Sequence, residues 1–145
     1  MRNDEKEEPK EYFERNILFV TVFIATGLFL DWLSIHLLMN VNPWGTLSAV
    51  PGLVITLQGL WLLVNPYAIL YDDRFEIKRN FIYNKEFYYL DTKRLENRKT
   101  GSVVVVYNDE EKEILPLLGM RESHKDKFHL TLSEKIAASV SKRAF

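Results

Sequence analysis

Residues 27–38 read GLFLDWLSIHLL, and they place one carboxylic acid, Asp31, inside an otherwise oily run. The run belongs to a longer one, 17–39, of 23 residues dominated by Leu, Ile, Phe and Val. As a helix it extends about 34 Å at 1.5 Å per residue, enough for a hydrocarbon core of about 30 Å with some tilt. A second apolar run covers 46–64, interrupted by Pro51, Gly52, Thr56, Gln58 and Gly59. The linking residues 40–45, NVNPWG, carry a turn signal built from Asn, Pro and Gly. So short a link makes the two segments antiparallel. Neither offers the polar face that a soluble helical hairpin needs, so both read as membrane spans.

Charge follows the same division. The chain has 145 residues, 19 Lys and Arg, 20 Asp and Glu, and a net charge of −1. No Lys or Arg falls within residues 17–64, where Asp31 is the sole acid. Residues 1–16 hold four bases and 65–145 hold fifteen, while the link holds none. The positive-inside tendency therefore puts both termini in the cytoplasm. Trp44, Trp61 and Tyr67 suit interfacial positions. The reading is a charged segment 1–16, with a helical turn near Glu11–Arg15, a transmembrane hairpin 17–64, and a cytoplasmic domain 65–145. The first 16 residues carry six acids and no short apolar core, so a secretory signal peptide is not expected. With no cysteine, disulfides, zinc ribbons and thiol catalysis are excluded.

At mid-helix an acid costs about 2.5–3.5 kcal/mol on insertion scales, and each Leu, Ile, Phe or Val returns about 0.3–0.6. With fourteen such residues in the first run, Asp31 does not prevent insertion, but it is expected to face protein rather than lipid. Thr56 and Gln58 fall at a comparable depth on the second run, and Ser34 and His36 lie nearer the outer end. Two readings follow: a proton or ion relay through Asp31, His36 and Gln58, or an interhelical hydrogen bond that locks the pair or a self-association contact. Two helices alone do not enclose a pathway, so the structural role is favoured, and the relay belongs to an alternative in which the chain is an accessory subunit of a transporter.

Beyond residue 65 the period shortens to two. Residues 67–73, 74–80, 81–91 and 92–99 read as successive strands, with Phe75 and Ile77 alternating against Glu76 and Lys78. SVVVVYN, 102–108, is the strongest strand, followed by a turn at 108–111 and a return strand 113–117, which Pro116 ends or confines to an edge. Ser123 and Asp126 have capping-box spacing, and Phe128, Leu132, Ile136 and Val140 mark one face of a terminal helix.

Residues 67–140 resemble the bacterial pleckstrin-homology-like family, small membrane proteins with one or two apolar helices ahead of the domain. The likeness is carried by YAILYDDRFEIKRN, by FYYLDTKRLE with Leu90 and Leu95 at recurrent aliphatic sites, and by SVVVVYNDEEKEILPL with HKDKFHLTLSEKIAASV. Asn80 stands where many members have Gly in an early turn, and Asn tolerates the same left-handed backbone. The resemblance implies an α+β fold: a partly open antiparallel barrel capped by a C-terminal amphipathic helix, without catalytic residues.

Arg74, Lys78, Arg79 and Lys85 gather around the first hairpin, where an anionic leaflet attracts bases. Asp72, Asp73, Glu76 and Glu86 interleave with them, which favours a mixed-charge solvated surface over a headgroup grip. Tyr83 and Tyr88, among the surplus aromatics Phe81, Phe87, Tyr89 and Tyr107, form a candidate protein-docking face if they point the same way. His124 and His129 are five apart, about 140° around a helix, and do not share a metal-binding face. Asp109–Glu111 lacks calcium-loop spacing, and no phosphate loop, Ser-His-Asp set or HExxH is present, so neither cofactor nor metal is expected. Residues 65–145 carry +2, fifteen bases against thirteen acids, too balanced for nucleic acid. The expected role is a non-enzymatic, membrane-anchored module that docks protein partners or lipid headgroups.

Overall fold

A computed structural model describes residues 9–98 and 101–142. A short strand β1 (Glu11–Phe13) leads through three residues into helix α1 (Ile17–Met39). A tight link joins it to α2 (Trp44–Val64), and three more residues lead into β2 (Ala68–Leu70). Strands β3 (Arg74–Lys78), β4 (Asn84–Tyr88), β5 (Thr92–Arg98), β6 (Ser102–Tyr107) and β7 (Lys112–Pro116) follow, and α3 (Glu122–Ser141) closes the chain.

The segment before α1 is a strand, not the helical turn expected near Glu11–Arg15. It pairs antiparallel with β2 in the register Glu11↔Leu70, Tyr12↔Ile69 and Phe13↔Ala68. The two long helices therefore grow from the same end of two hydrogen-bonded neighbours, and together they form the connection between β1 and β2. Asn16 caps α1, its side chain accepting from the Leu18 amide at 3.0 Å, which supplies one of the partners that a helix start lacks.

Both helices are long and apolar enough to cross a bilayer, and only 17% of the most apolar window of each is buried. They are not core helices of the β-rich part. Their shared seam is narrow and made of small residues: Gly45, Gly52 and Gly59 recur every seven positions on α2 and are all buried. Seven residues is close to two helical turns, so all three face α1, and a missing side chain lets the backbones approach. A Cβ on Gly27 of α1 would lie 2.6 Å from the Thr56 amide nitrogen, and one on Gly52 would lie 3.1 Å from that of Asp31. No larger residue fits at Gly27 without parting the helices.

The β-rich head contains a four-stranded sheet in the order β1-β2-β3-β4 and a three-stranded sheet in the order β5-β6-β7, every neighbour antiparallel. Among the described residues no strand pair joins the two sheets, so the barrel is not closed. One core fills the space between the sheets and α3. Phe75 and Phe87 stack across β3 and β4 with centroids 4.7 Å apart, and Phe128 of α3 meets Phe13 edge-on at 5.0 Å. Leu132 and Ile136 are buried one and two turns further along α3.

Two expectations about this region are corrected. Ser123 does not cap α3, because the helix already starts at Glu122 with Arg121 as a cap residue lacking a side-chain bond. Val140 is exposed near the end of α3, beyond the core. Leu90 is exposed in the turn after β4, whereas Leu95 packs partly against the core. Pro116 ends β7, which is an edge strand, as its missing amide hydrogen requires.

Candidate functional site

Between the helices the polar groups are paired in separate places. The Thr56 hydroxyl donates to the Asp31 carboxylate at 2.8 Å. Gly52 lies one turn before Thr56 on the same face of α2 and makes room for that carboxylate; a Cβ there would collide with its Oδ1. Nearer the link, the Ser34 and Ser48 hydroxyls are 2.8 Å apart and hydrogen-bonded. His36 is elsewhere. Five residues after Asp31 it has rotated about 140° around α1, and its ring stacks on exposed Trp32 at 5.7 Å. Gln58 also turns away from Asp31, its carbonyl accepting from the Phe81 amide at 3.3 Å. Asp31, His36 and Gln58 thus serve three different neighbourhoods.

A cavity of about 760 Å³ opens where the helical pair meets the head. Phe19 and Phe23 of α1, Leu62 of α2, and Ile114 and Leu118 form apolar walls, and Arg15, Lys78 and Arg79 supply cations. Arg15 is the last residue but one before α1, so the chain's path carries it under the head. Its Nε donates to the Asn65 carbonyl at 2.9 Å and its Nη2 to the Lys78 carbonyl. The guanidinium also stands 5.6 Å from the ring centres of both Trp61 and Tyr67. Among the described residues no carboxylate lies within ion-pairing distance of Arg15. Burial lowers its pKa to about 10, with Tyr67 acting in the opposite direction. Burial likewise pushes the Tyr67 hydroxyl up to about 12, against the pull of Arg15 and Arg79. The result is a partly desolvated cation, still charged at neutral pH, whose fixed partners are dipoles and ring faces rather than an acid.

The four bases expected around the first hairpin are more completely matched. Lys78 pairs with Glu76 at 2.6 Å, and Arg74 pairs with Asp73 at 3.0 Å and lies over the Tyr71 ring at 4.7 Å. Arg79, at 3.2 Å, and Lys85 converge on Glu113 of β7, which also accepts from the Tyr107 hydroxyl at 3.0 Å. Burial alone would raise the Glu113 carboxyl, but bonds from Lys85 and Tyr107 and the Arg79 charge hold it below the ordinary value. This is a mixed-charge surface with its bases internally paired.

The aromatics divide sharply. Phe87 and Tyr89, two of the surplus aromatics, are buried in the core, Phe87 on the inner face of β4 and Tyr89 just beyond its end. Tyr83 lies in the turn before β4 and Tyr88 at the far end of that strand, so the two stand at opposite ends of it. Phe81, Ile82 and Tyr83 in the β3–β4 turn are exposed together. Asn80 shapes that turn through its side chain, which accepts from the amides of Ile82 and Tyr83 at 2.9 and 2.6 Å. It is not among the residues with left-handed backbone, so the expected substitute for Gly works by hydrogen bonding instead.

Two features had readable signals that went unused. The seven-residue glycine repeat is visible in the letters of α2. Arg15 is the last base before 48 uncharged or acidic positions, a place where a cation sits at the mouth of any helical pair. His124 holds β1 to α3: its Nδ1 accepts from the Glu14 amide at 3.1 Å, and its ring meets Phe13 edge-on. Comparison with protein-family models, with curated proteins and with solved structures finds no match to this chain.

Proposed function

We propose that this chain is a two-span membrane protein whose head lies against the cytoplasmic leaflet, and that it is a non-enzymatic docking module for the anionic headgroup of a lipid. Arg15 carries the reading. A cation placed in a partly apolar cavity without a carboxylate is under-compensated, and a phosphate oxygen is the partner that restores the balance. The walls fit the same ligand: Phe19 and Phe23 run up α1 from the charged floor, so an acyl chain can follow them while its headgroup stays with Arg15. Uncovered apolar helices support the spanning arrangement, and fifteen bases in residues 65–145 support its orientation. Four strands, then three, then a C-terminal helix support a pleckstrin-homology-like head, with the spans inserted between its first two strands.

The test is native mass spectrometry of the detergent-purified chain titrated with phosphatidylglycerol or phosphatidylcholine. Wild type should retain phosphatidylglycerol preferentially, and Arg15→Gln should lose that preference while Arg74→Gln keeps it. Equal retention of both lipids by wild type, or an unchanged preference in Arg15→Gln, would overturn the assignment.

A further inference from the structure

The β3–β4 turn carries a second surface. Phe81, Ile82 and Tyr83 are 44%, 83% and 52% exposed, an uninterrupted apolar tip on a head whose other large aromatics are mostly buried. Its position is fixed by the bond from the Phe81 amide to Gln58. Gln58 lies six residues before Val64, the last residue of α2, which is about 9 Å along the helix axis. The tip therefore reaches past the end of α2 and lies beside its apolar flank. We infer that residues 80–83 are a wedge buried in the cytoplasmic leaflet, so that the head is held by acyl-chain contact as well as by its two tethers. This rests on the proposal that α1 and α2 span the bilayer.

Backbone chemistry points the same way. Inside lipid, every exposed amide needs an acceptor from the protein. The amide of Phe81 has Gln58, those of Ile82 and Tyr83 share Asn80, and that of Asn80 donates to the Tyr83 carbonyl at 3.3 Å. Four consecutive amides are thus satisfied without water, in a turn that an aqueous surface would satisfy freely. No charge interrupts residues 80–83, while Lys78, Arg79 and Lys85 flank them. The wedge also gives Gln58 a role that does not involve Asp31.

The absence of cysteine makes the experiment direct. Single-cysteine variants Ile82→Cys, Leu53→Cys on the exposed flank of α2, and Asp72→Cys at the opposite end of β3 are labelled with an environment-sensitive nitrobenzoxadiazole dye. The full chain is reconstituted in vesicles of phosphatidylcholine and phosphatidylglycerol, with nitroxide-bearing acyl chains or aqueous cobalt as quencher. The label at position 82 should shift to the blue, be quenched by shallow nitroxides and escape cobalt, and the label at 72 should do the reverse. If 82 behaves like 72 while 53 remains in lipid, the wedge is overturned and the spanning proposal stands. If the label at 53 is itself quenched by cobalt, both fall.

Discussion

At Gly27 and Thr56 the two long helices meet backbone to side chain with no room for a methyl group, whereas in the head Phe75 and Phe87 meet ring to ring at 4.7 Å. The outer surfaces contrast as strongly. Leu53, Leu57 and Ile35 leave about half or more of their surface uncovered on the helices, while on the head Glu96 reaches Arg94 along its own strand and Lys112 across β6, over Val104 and Val106. The helical pair has an apolar exterior and a tight, small-residue seam, and the head has a charged exterior and a large aromatic core. Apolar burial drives assembly only where the alternative is water. A pair joined by close backbone approach and a few hydroxyl bonds is organised as helices are in lipid.

The contrast breaks most visibly at Phe128, which touches Phe13 and Phe75 and so ties β1, β3 and α3 together. Phe128→Ala should destabilise the head by about 3–5 kcal/mol through lost contact and a residual cavity. Thermal unfolding in detergent should then show the near-ultraviolet aromatic signal melting early while far-ultraviolet helicity persists. Simultaneous loss of both signals would mean that pair and head form one cooperative unit, and the division drawn above would not hold.

The converse experiment is Gly27→Leu, which places bulk against the Thr56 backbone and should cost about 1–3 kcal/mol of pair association. Double electron–electron resonance between labels on α1 and α2 should record a wider separation, with head melting unchanged. An unaltered distance would show that the seam is looser than its geometry implies. A smaller effect is expected at Glu113. Its folded carboxyl lies below the ordinary 4.5, so its contribution is complete above that value and drains as pH falls through the lower folded one. Glu113→Gln should lower head stability at neutral pH by at most about 1 kcal/mol, given how much water reaches Arg79 and Lys85, and should flatten the acid limb. An acid limb identical to wild type would remove Glu113 from the account.

Much of this was legible because its physics is local. Helix α1 runs over the 23 residues anticipated, α2 begins two residues earlier than expected, and the six strands after residue 65 follow from alternation, β-branched and aromatic content and turn residues. Strand β1 was not legible: three residues, Glu11–Phe13, are too short to display a period, and their partner lies beyond both helices. The same distance hid the cavity, since Arg15, Asn65 and Lys78 meet only once β1 and β2 are paired. Side-chain partners across elements were the least legible. Gln58 matched Asp31 in depth but not in direction, and depth was all that counting residues supplied.

The finest distinction concerns Asp31. If the carboxylate aligns the helices, a double-mutant cycle of Asp31→Asn and Thr56→Val should give a coupling of about 0.6 kcal/mol, the average for such bonds within membranes. Asn keeps an oxygen acceptor for the Thr56 hydroxyl, so Asp31→Asn alone should leave the interhelical distance nearly unchanged, and Thr56→Val should shift it more. A relay predicts the opposite ranking in proton uptake by reconstituted vesicles: Asp31→Asn abolishes it because an amide carries no titratable proton, and Thr56→Val largely spares it. With His36 stacked on Trp32 and Gln58 engaged by Phe81, no second titratable group among the described residues stands beside Asp31 to receive a proton, so uptake should be at background in both variants and in wild type.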